Sequence, residues 1–290
     1  MGLRDDLLAR CRFPEPGSEV SCAVSGGADS LSLLLLAVAA GCRATAIHVD
    51  HGLRHDSERE ADRVAAAAAH YGARFRSERV TVLPGANLQA RARAARYGVL
   101  PADVLTGHTA DDQAETMVLN LLRGAGRPGL AGMRRTQRRP LLDLRRAETA
   151  ALCVAEGLDP LVDPTNQDPT HRRTRVRHEV LPLLDDVAGR SVVPILARQA
   201  EILGEETEYL DRMADALDPT DTRALQAAEP ALVRRALRAW LWRSMGADHP
   251  VDAAAIDRVL AVVRHDSRAA DVQGGWRVVR TEGRLTLDRA

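Results

Sequence analysis

Residues 19 to 30 read Glu-Val-Ser-Cys-Ala-Val-Ser-Gly-Gly-Ala-Asp-Ser, an apolar strand that breaks at Ser25-Gly26-Gly27 and resumes as a helix through Leu31 to Leu36. Two glycines let the backbone turn where a Cβ would clash, so that successive N–H groups and the positive end of the new helix face one anion. Ser25 and Ser30 add hydroxyl donors, which makes Ser25, Gly26, Gly27, Ala28, Asp29 and Ser30 the expected phosphate cradle. Asp29 favours the helix start and is a hard-oxygen ligand for magnesium. The alternative is a plain strand-turn-helix corner with a good cap. Five matched positions in Ser-Gly-Gly-x-Asp-Ser, set between strand and helix, favour the phosphate. A Walker-type loop is excluded, because it needs a Lys and all 40 basic residues are Arg.

A second group of chemistry-bearing residues is Asp111, Asp112 and Glu115, at the start of a predicted helix. Capping and compensation of the helix dipole account for Asp111, the expected N-cap. Asp112 and Glu115 are one turn apart and share a face, so together they suit a cationic amine. His48, His51 and His108 follow strand ends, but their spacing is not that of a zinc site and no Cys joins them. Arg54 and Arg123 each suit a phosphate, Arg123 otherwise complementing the end of the 111–122 helix. For Arg93 and Arg96, a solvated helix face competes with a phosphate role. From Arg123 to Arg146 there are eight Arg (123, 127, 134, 135, 138, 139, 145 and 146) against the single acid Asp143, interspersed with Gly124, Gly126, Gly129 and Gly132. A mobile basic loop of this kind suits RNA backbone, the alternative being arginines that merely solubilise. A second cluster follows at Arg172, Arg173, Arg175 and Arg177.

The elements that must position these residues alternate between strand and helix. Val20–Val24, Ala44–Val49, Arg76–Val82 and Val104–Thr106 read as strands, and Leu31–Ala40, Ser57–Tyr71, Leu88–Val99 and Asp111–Leu122 as helices. The alternation implies βαβ units and a parallel twisted sheet with helices on both faces. Ligands of such sheets gather at the carboxyl ends of the strands, so the 25–30 loop, the 48–54 segment and Gly107-His108 should line one crevice. Beyond Asp163 the pattern turns helical (172–184, 193–217, 230–245 and 251–264) and closes on a hairpin around Glu282-Gly283. The expected domains are residues 1–188 and 189–290, the second smaller and mainly helical.

The chain has 290 residues, 45% of them hydrophobic, enough for a sizeable core and two domains. A net charge of zero excludes a globally basic nucleic-acid coat, so RNA contact must come from local patches. Cys11, Cys22, Cys42 and Cys153 are scattered without a Cys-x-x-Cys pair, which fits a reducing, cytoplasmic setting. The longest apolar run is too short to span a bilayer. Aromatic residues for base stacking are scarce, and of Trp240 and Trp242, two apart on a helix, at least one should be core.

The 25–30 motif resembles the pyrophosphatase loop of the N-type ATP pyrophosphatases, whose fold is of the adenine nucleotide alpha hydrolase type. Over residues 18–185 the chain also resembles the tRNA(Ile)-lysidine synthetase family in order and spacing. The matching stretches are Ile47–Arg54, Ala92–Tyr97, Gly107–Thr116, Leu122–Gly126, Gly129–Met133, Arg139–Leu142 and Asp163–Asp168. That resemblance implies ATP and magnesium as cofactors. Its substrates would be free L-lysine and the isoleucine tRNA with a CAU anticodon, whose wobble cytidine is adenylated before lysine displaces AMP. It assigns ATP to the 25–30 loop with His48, Arg54 and Gly107, and lysine to His108, Asp112 and Glu115. Catalysis falls to Asp29, Asp112 and Arg123, magnesium to Asp29 with Asp111 (Asp112 being the alternative second ligand), and the tRNA to Arg134, Arg135, Arg138, Arg139, Arg173 and Arg177. The chain departs from the family's Arg-Asn-x-x-Arg at Thr174.

Within the superfamily the competing activity is tRNA thiolation, which uses cysteines at set spacings that this chain lacks. From another class, an ATP-sensing module would have no use for an acidic amine pocket. The carboxyl-terminal region matches the shorter form of the family, without a further acceptor-stem-reading domain, and would help to seat the tRNA. The oligomeric state is open, a homodimer being one option.

Overall fold

The computed structural model describes residues 2–50, 57–81, 88–161, 170–246 and 251–289. It opens with helix α1 (Leu3–Leu8), followed by β1 (Glu19–Ala23), α2 (Ala28–Ala39), β2 (Arg43–Asp50), α3 (Ser57–His70), β3 (Arg74–Arg79) and α4 (Leu88–Val99). The three strands form a parallel sheet in the order β1-β2-β3, with Cys22 beside Ala46 and Ile47 beside Arg76. The expected fourth strand, Val104–Thr106, is reduced to a bridge. Leu105 pairs with Cys22 on the free edge of β1, but the Thr106 amide turns away and donates to the Arg138 carbonyl (2.8 Å), so the ladder stops after one residue.

Residue type explains the layering. Helix α2 is apolar almost all round, as a helix must be when it is covered on every side. Leu33, Leu34 and Leu36 are wholly buried, each worth about 2 kcal/mol of transfer free energy. Alternate sheet residues Val20, Cys22, Ala44 and Ala46 join α2, Val64 of α3, and Leu152 and Cys153 of a later helix (Arg146–Ala155) in one core. The opposite phase, Ala23, Ile47 and Val49, meets Leu100 and Val104 on the other face. Where β1 and β2 are buried on both faces, their strand ends are what is left for ligands, whereas β3 is largely exposed.

After the sheet come α5 (Ala110–Leu122), the short α6 (Arg127–Leu130) and α7 (Arg146–Ala155). A further helical run begins with α8 (Arg172–Arg175), passes through a π-helical turn (Val176–Val180) and continues as α9 (Leu181–Ala188). The arginine-rich 123–146 stretch, expected as a mobile loop, is pinned to α5. The Gln113 amide donates to the Ala131 and Met133 carbonyls (both 3.1 Å) and accepts from the Met133 amide (2.8 Å), while Asn120 donates to the Gly129 carbonyl (2.8 Å). Leu141, Leu142 and Leu144 bury its far end.

The chain divides into two compact units, Met1–Leu203 and Gly204–Ala290, the division falling inside the long helix α10 (Val193–Asp215). The second unit adds α11 (Thr222–Ala227), α12 (Pro230–Met245), α13 (Ala253–Val263) and an antiparallel sheet of β4 (Ala269–Val272), β5 (Trp276–Thr281) and β6 (Arg284–Arg289). Asp221 and Asp252 cap α11 and α13 through their carboxylates. The expected hairpin is β5–β6, joined through Glu282 and Gly283 at φ 49° and 80°, a two-residue turn that demands positive φ at both positions. Trp240 packs on this unit's core, whereas Trp242 is exposed.

Candidate active site

The 25–30 loop is shaped by its own serines. Ser30 Oγ accepts from the Ser25 amide (3.1 Å) and donates to the Gly27 carbonyl (2.9 Å), folding the turn back on the first residues of α2. Gly26 lies at φ 86°, a conformation that favours glycine, and its carbonyl accepts from the Leu161 amide (2.9 Å). Gly27 is the N-cap of α2 with no side chain closing the helix end. Such an end presents orphan N–H groups and the positive pole of the helix dipole, the arrangement that binds phosphate. Gly107 fits against the same corner. A Cβ there would stand 2.6 Å from the Asp29 carbonyl oxygen and 3.2 Å from the Ser30 nitrogen, so the 107 position must be glycine for the loop to sit where it does.

Asp29 points from the loop toward α7, where Thr149 Oγ1 donates to its Oδ1 at 2.5 Å. Burial pushes the Asp29 carboxyl up to about 6, with Thr149 and Arg146 opposing and Asp112 reinforcing the rise. Arg146, the first residue of α7, spans three acids. Its Nε lies 3.6 Å from Asp29 Oδ2, its Nη2 3.1 Å from Asp112 Oδ1, and its Nη1 3.1 Å from Glu115 Oε1. Burial lowers the Arg146 pKa, but Asp112, Glu115 and Asp29 outweigh it and hold the group above the usual guanidinium value.

Asp112 and Glu115 share a face, as one turn of helix requires, but the face is filled. Glu115 is wholly buried and accepts from Arg146, from Arg173 Nε (2.7 Å) and from Arg177 Nε and Nη2 (2.7 and 3.3 Å). Asp112 accepts from Arg146 and Arg173 (both 3.1 Å), and its other oxygen caps α5 by taking the Thr109 amide (2.9 Å) and hydroxyl (3.1 Å). Burial raises the Asp112 carboxyl, but Arg146, Arg173 and the Thr109 amide overcome it and hold the group below the ordinary carboxylate range. The face read from the sequence as an amine niche is occupied by guanidinium groups. Arg173 and Arg177, expected on the RNA, are turned inward onto these acids because a buried carboxylate requires matched charge.

A family model for the PP-loop domain matches residues 6–184. The tRNA(Ile)-lysidine synthase of Nocardia farcinica is 43% identical, covering 96% of this chain and 94% of that protein. The enzymes of the same name from Salinispora tropica and Thermobifida fusca are 42% and 40% identical, over 96% and 93% of this chain and 92% of each relative. The chain belongs to the tRNA(Ile)-lysidine synthase family. Among solved structures it resembles the U34-tRNA thiolase NcsA of Methanococcus maripaludis, at a TM-score of 0.57 and 17% identity over 70% of this chain and 78% of that one, which shows a shared fold.

Other residues that the synthase resemblance singles out are placed less centrally. Both Asp111 oxygens are engaged by Arg145 (3.1 and 3.2 Å) and one by the Arg146 amide (2.8 Å), so Asp111 anchors α7 and is not presented to a magnesium ion. Arg123 is exposed at the far end of α5, roughly 17 Å along the helix from Asp112 at 1.5 Å per residue. The structure does not bring it to the loop, and the guanidinium found there is Arg146. His108 Nδ1 bonds to Thr106 Oγ1 at 2.8 Å. His48 is buried, its Nδ1 on the Val24 carbonyl (3.1 Å) and its Nε2 without a partner, beside the strand end where the loop starts. Arg135 is taken up by Asp143 and Glu201, and Arg139 donates to the Arg134 carbonyl (3.2 Å), leaving Arg134 and Arg138 as the exposed pair of the four. Arg54, His51, the Asp163–Asp168 stretch and the side chain of Arg93 lie outside the described residues.

Thr149 was not singled out from sequence, and Arg145 and Arg146 were read only as part of the basic 123–146 stretch, because α7 was missed. Its only start signal is Glu148, three residues after an Arg N-cap, and an Arg there is not a recognisable capping residue. Among the described residues no group of three His, Cys, Asp or Glu side chains suits a metal ion. Magnesium bound through nucleotide phosphates needs only one or two carboxylates, and Asp29 at the mouth of the loop fits that role.

Proposed function

We propose that the chain ligates free L-lysine to carbon 2 of the wobble cytidine of the CAU-anticodon isoleucine tRNA, in the cytoplasm, releasing AMP and pyrophosphate. The product, lysidine, changes codon reading from AUG to AUA and the tRNA's identity from Met to Ile. The observation that supports this best is Arg146, which joins Asp29 of the phosphate loop to Asp112 and Glu115 in one cluster. A phosphate loop and an amine-binding acid pair in one place suit a reaction in which ATP activates an oxygen and an amine then displaces AMP.

The cytidine O2 attacks the α-phosphorus and pyrophosphate leaves. Negative charge gathers on the departing group, where the N–H groups at the start of α2 and the Ser25 hydroxyl would face it, the Ser30 hydroxyl being spent on the turn itself. Magnesium, when bound with ATP, screens the phosphates, and Asp29 is its protein ligand. The ε-amine of lysine, held near Asp112 and Glu115 and relieved of its proton by a carboxylate, then attacks C2, and the C2–O bond to AMP breaks. Arg134 and Arg138 present charge to the RNA backbone.

Pyrophosphate release tests the reading. It should require both lysine and unmodified isoleucine tRNA, and Asp29→Ala should cut it about a hundredfold or more, as loss of a group holding transition-state charge does. Release without lysine or without RNA would show that the acceptor is wrong.

A further inference from the structure

Three carboxylates and three guanidinium groups meet where the phosphate loop faces α5. Asp29, Asp112 and Glu115 carry the negative charge and Arg146, Arg173 and Arg177 the positive, while Asp111 is matched separately by Arg145. Counted over the described residues, the cluster is therefore neutral before substrates arrive, and every oxygen of Asp112 and Glu115 is already bonded. An added ion in such surroundings must be compensated. A lysine ammonium at Asp112 and Glu115 brings a surplus positive charge, and ATP phosphates on the loop bring a surplus negative one. One guanidinium that changes partner cancels both.

Among the described residues Arg146 is the guanidinium that reaches both sides. Among the described residues Arg173 and Arg177 pair with the α5 acids and not with Asp29. The Nε of Arg146 lies 3.6 Å from Asp29, its loosest contact and the one on the side where phosphate would arrive.

We propose that Arg146 is a positioning residue that makes lysine binding conditional on ATP. Without nucleotide its guanidinium occupies the ammonium place across Asp112 and Glu115, and with ATP on the loop it turns to the phosphates and vacates that place. This rests on the ligase reading above. Linkage then requires that ATP tighten lysine and lysine tighten ATP by the same factor. The device keeps the amine out until there is a nucleotide to activate its target.

The test is calorimetric titration of the full chain with L-lysine, without RNA, in the absence and presence of saturating α,β-methylene-ATP. The analogue should tighten lysine tenfold or more in the unaltered protein. In Arg146→Gln the nucleotide-free protein should bind lysine as tightly as the unaltered protein does with the analogue, and the analogue should then change affinity less than twofold. Arg173→Gln removes a charge from the same acids without touching the loop and should keep the coupling, which separates the role of Arg146 from general damage to the cluster. Should Arg146→Gln fail to fold, Arg146→Lys carries the test: one ammonium cannot bridge all three acids, and the coupling should fall at least threefold. Equal lysine affinity with and without the analogue, unchanged coupling in Arg146→Gln, or no lysine binding even with the analogue overturns the inference. If the unaltered protein still forms lysidine in those cases, the ligase reading survives; if it forms none, both fall.

Discussion

Asp29 and Asp112 face the same guanidinium, yet their carboxyl pKa values are shifted in opposite directions. Asp29 has one arginine contact and one hydroxyl against its burial, and its carboxyl is pushed up to about 6, whereas Asp112 has two arginines and a backbone amide and is held low. A group that loses its proton reluctantly is completed by an arriving cation, and one already satisfied serves as fixed charge. A backbone restraint on this arrangement is Gly107, packed on the Asp29 carbonyl. Gly107→Ala should push the loop away from its seat and raise KM for ATP about tenfold, a loss of about 1.4 kcal/mol in phosphate positioning. Steady-state kinetics at saturating lysine and tRNA would show it, and an unchanged KM would mean that the loop tolerates displacement. That Ser25 to Ser30 turn into the start of α2, and that Asp112 and Glu115 share a face of α5, was legible from residue type and spacing. Their partners were not, because a guanidinium 31 to 62 residues away in the chain leaves no periodic trace beside the acid it neutralises.

At the scale of elements, β1, β2, α2 and α5 were readable because an apolar strand, an apolar helix and an acid-capped helix each carry a local signature. Helix α7 has none beyond Glu148, and with it went the third wall of the site. The 123–146 stretch was misread for a related reason. Its four glycines look permissive, but Gln113 and Asn120, which reach it from α5, hold three of its carbonyls and one amide. A basic segment held in place is better suited to presenting selected charges than to wrapping RNA; Arg134 and Arg138 are exposed, as are Arg123 and Arg127, while Arg135 is spent on Asp143 and Glu201. Reversing Arg134 and Arg138 to Glu should weaken tRNA binding and flatten the slope of log K against log salt by about one per lost phosphate contact. ATP affinity should be unchanged. The same reversal at Arg135 should act on stability instead, and a salt slope that does not move with Arg134 and Arg138 would remove this face from the RNA footprint.

Over the whole molecule, the two units can be followed separately, because all three tryptophans, Trp240, Trp242 and Trp276, belong to the second. In that unit Asp218 accepts from the Thr220 hydroxyl (2.7 Å) and amide (2.9 Å) and from Arg284 (2.5 Å), which together hold its carboxyl down at about 2. Its folded-state pKa lies below the unfolded value near 4, so its stabilisation is full above about pH 4 and is lost as pH falls through about 2. Asp218→Asn should therefore lower the tryptophan-monitored unfolding midpoint at neutral pH, with the difference from the unaltered protein shrinking toward pH 2. A difference independent of pH would show that the side chain acts by shape alone.

One reaction exposes most directly whether phosphate loop and acid pair are successive halves of a single site: a single turnover with unmodified isoleucine tRNA and α-labelled ATP, followed by separation of the labelled RNA. With Asp112→Asn, adenylated tRNA is expected to accumulate, because the loop still activates the cytidine while lysine is poorly held; with Asp29→Ala no labelled RNA should form. Loss of adenylation in Asp112→Asn to the same degree as in Asp29→Ala, or the absence of any adenylated tRNA from every form of the protein, would contradict it.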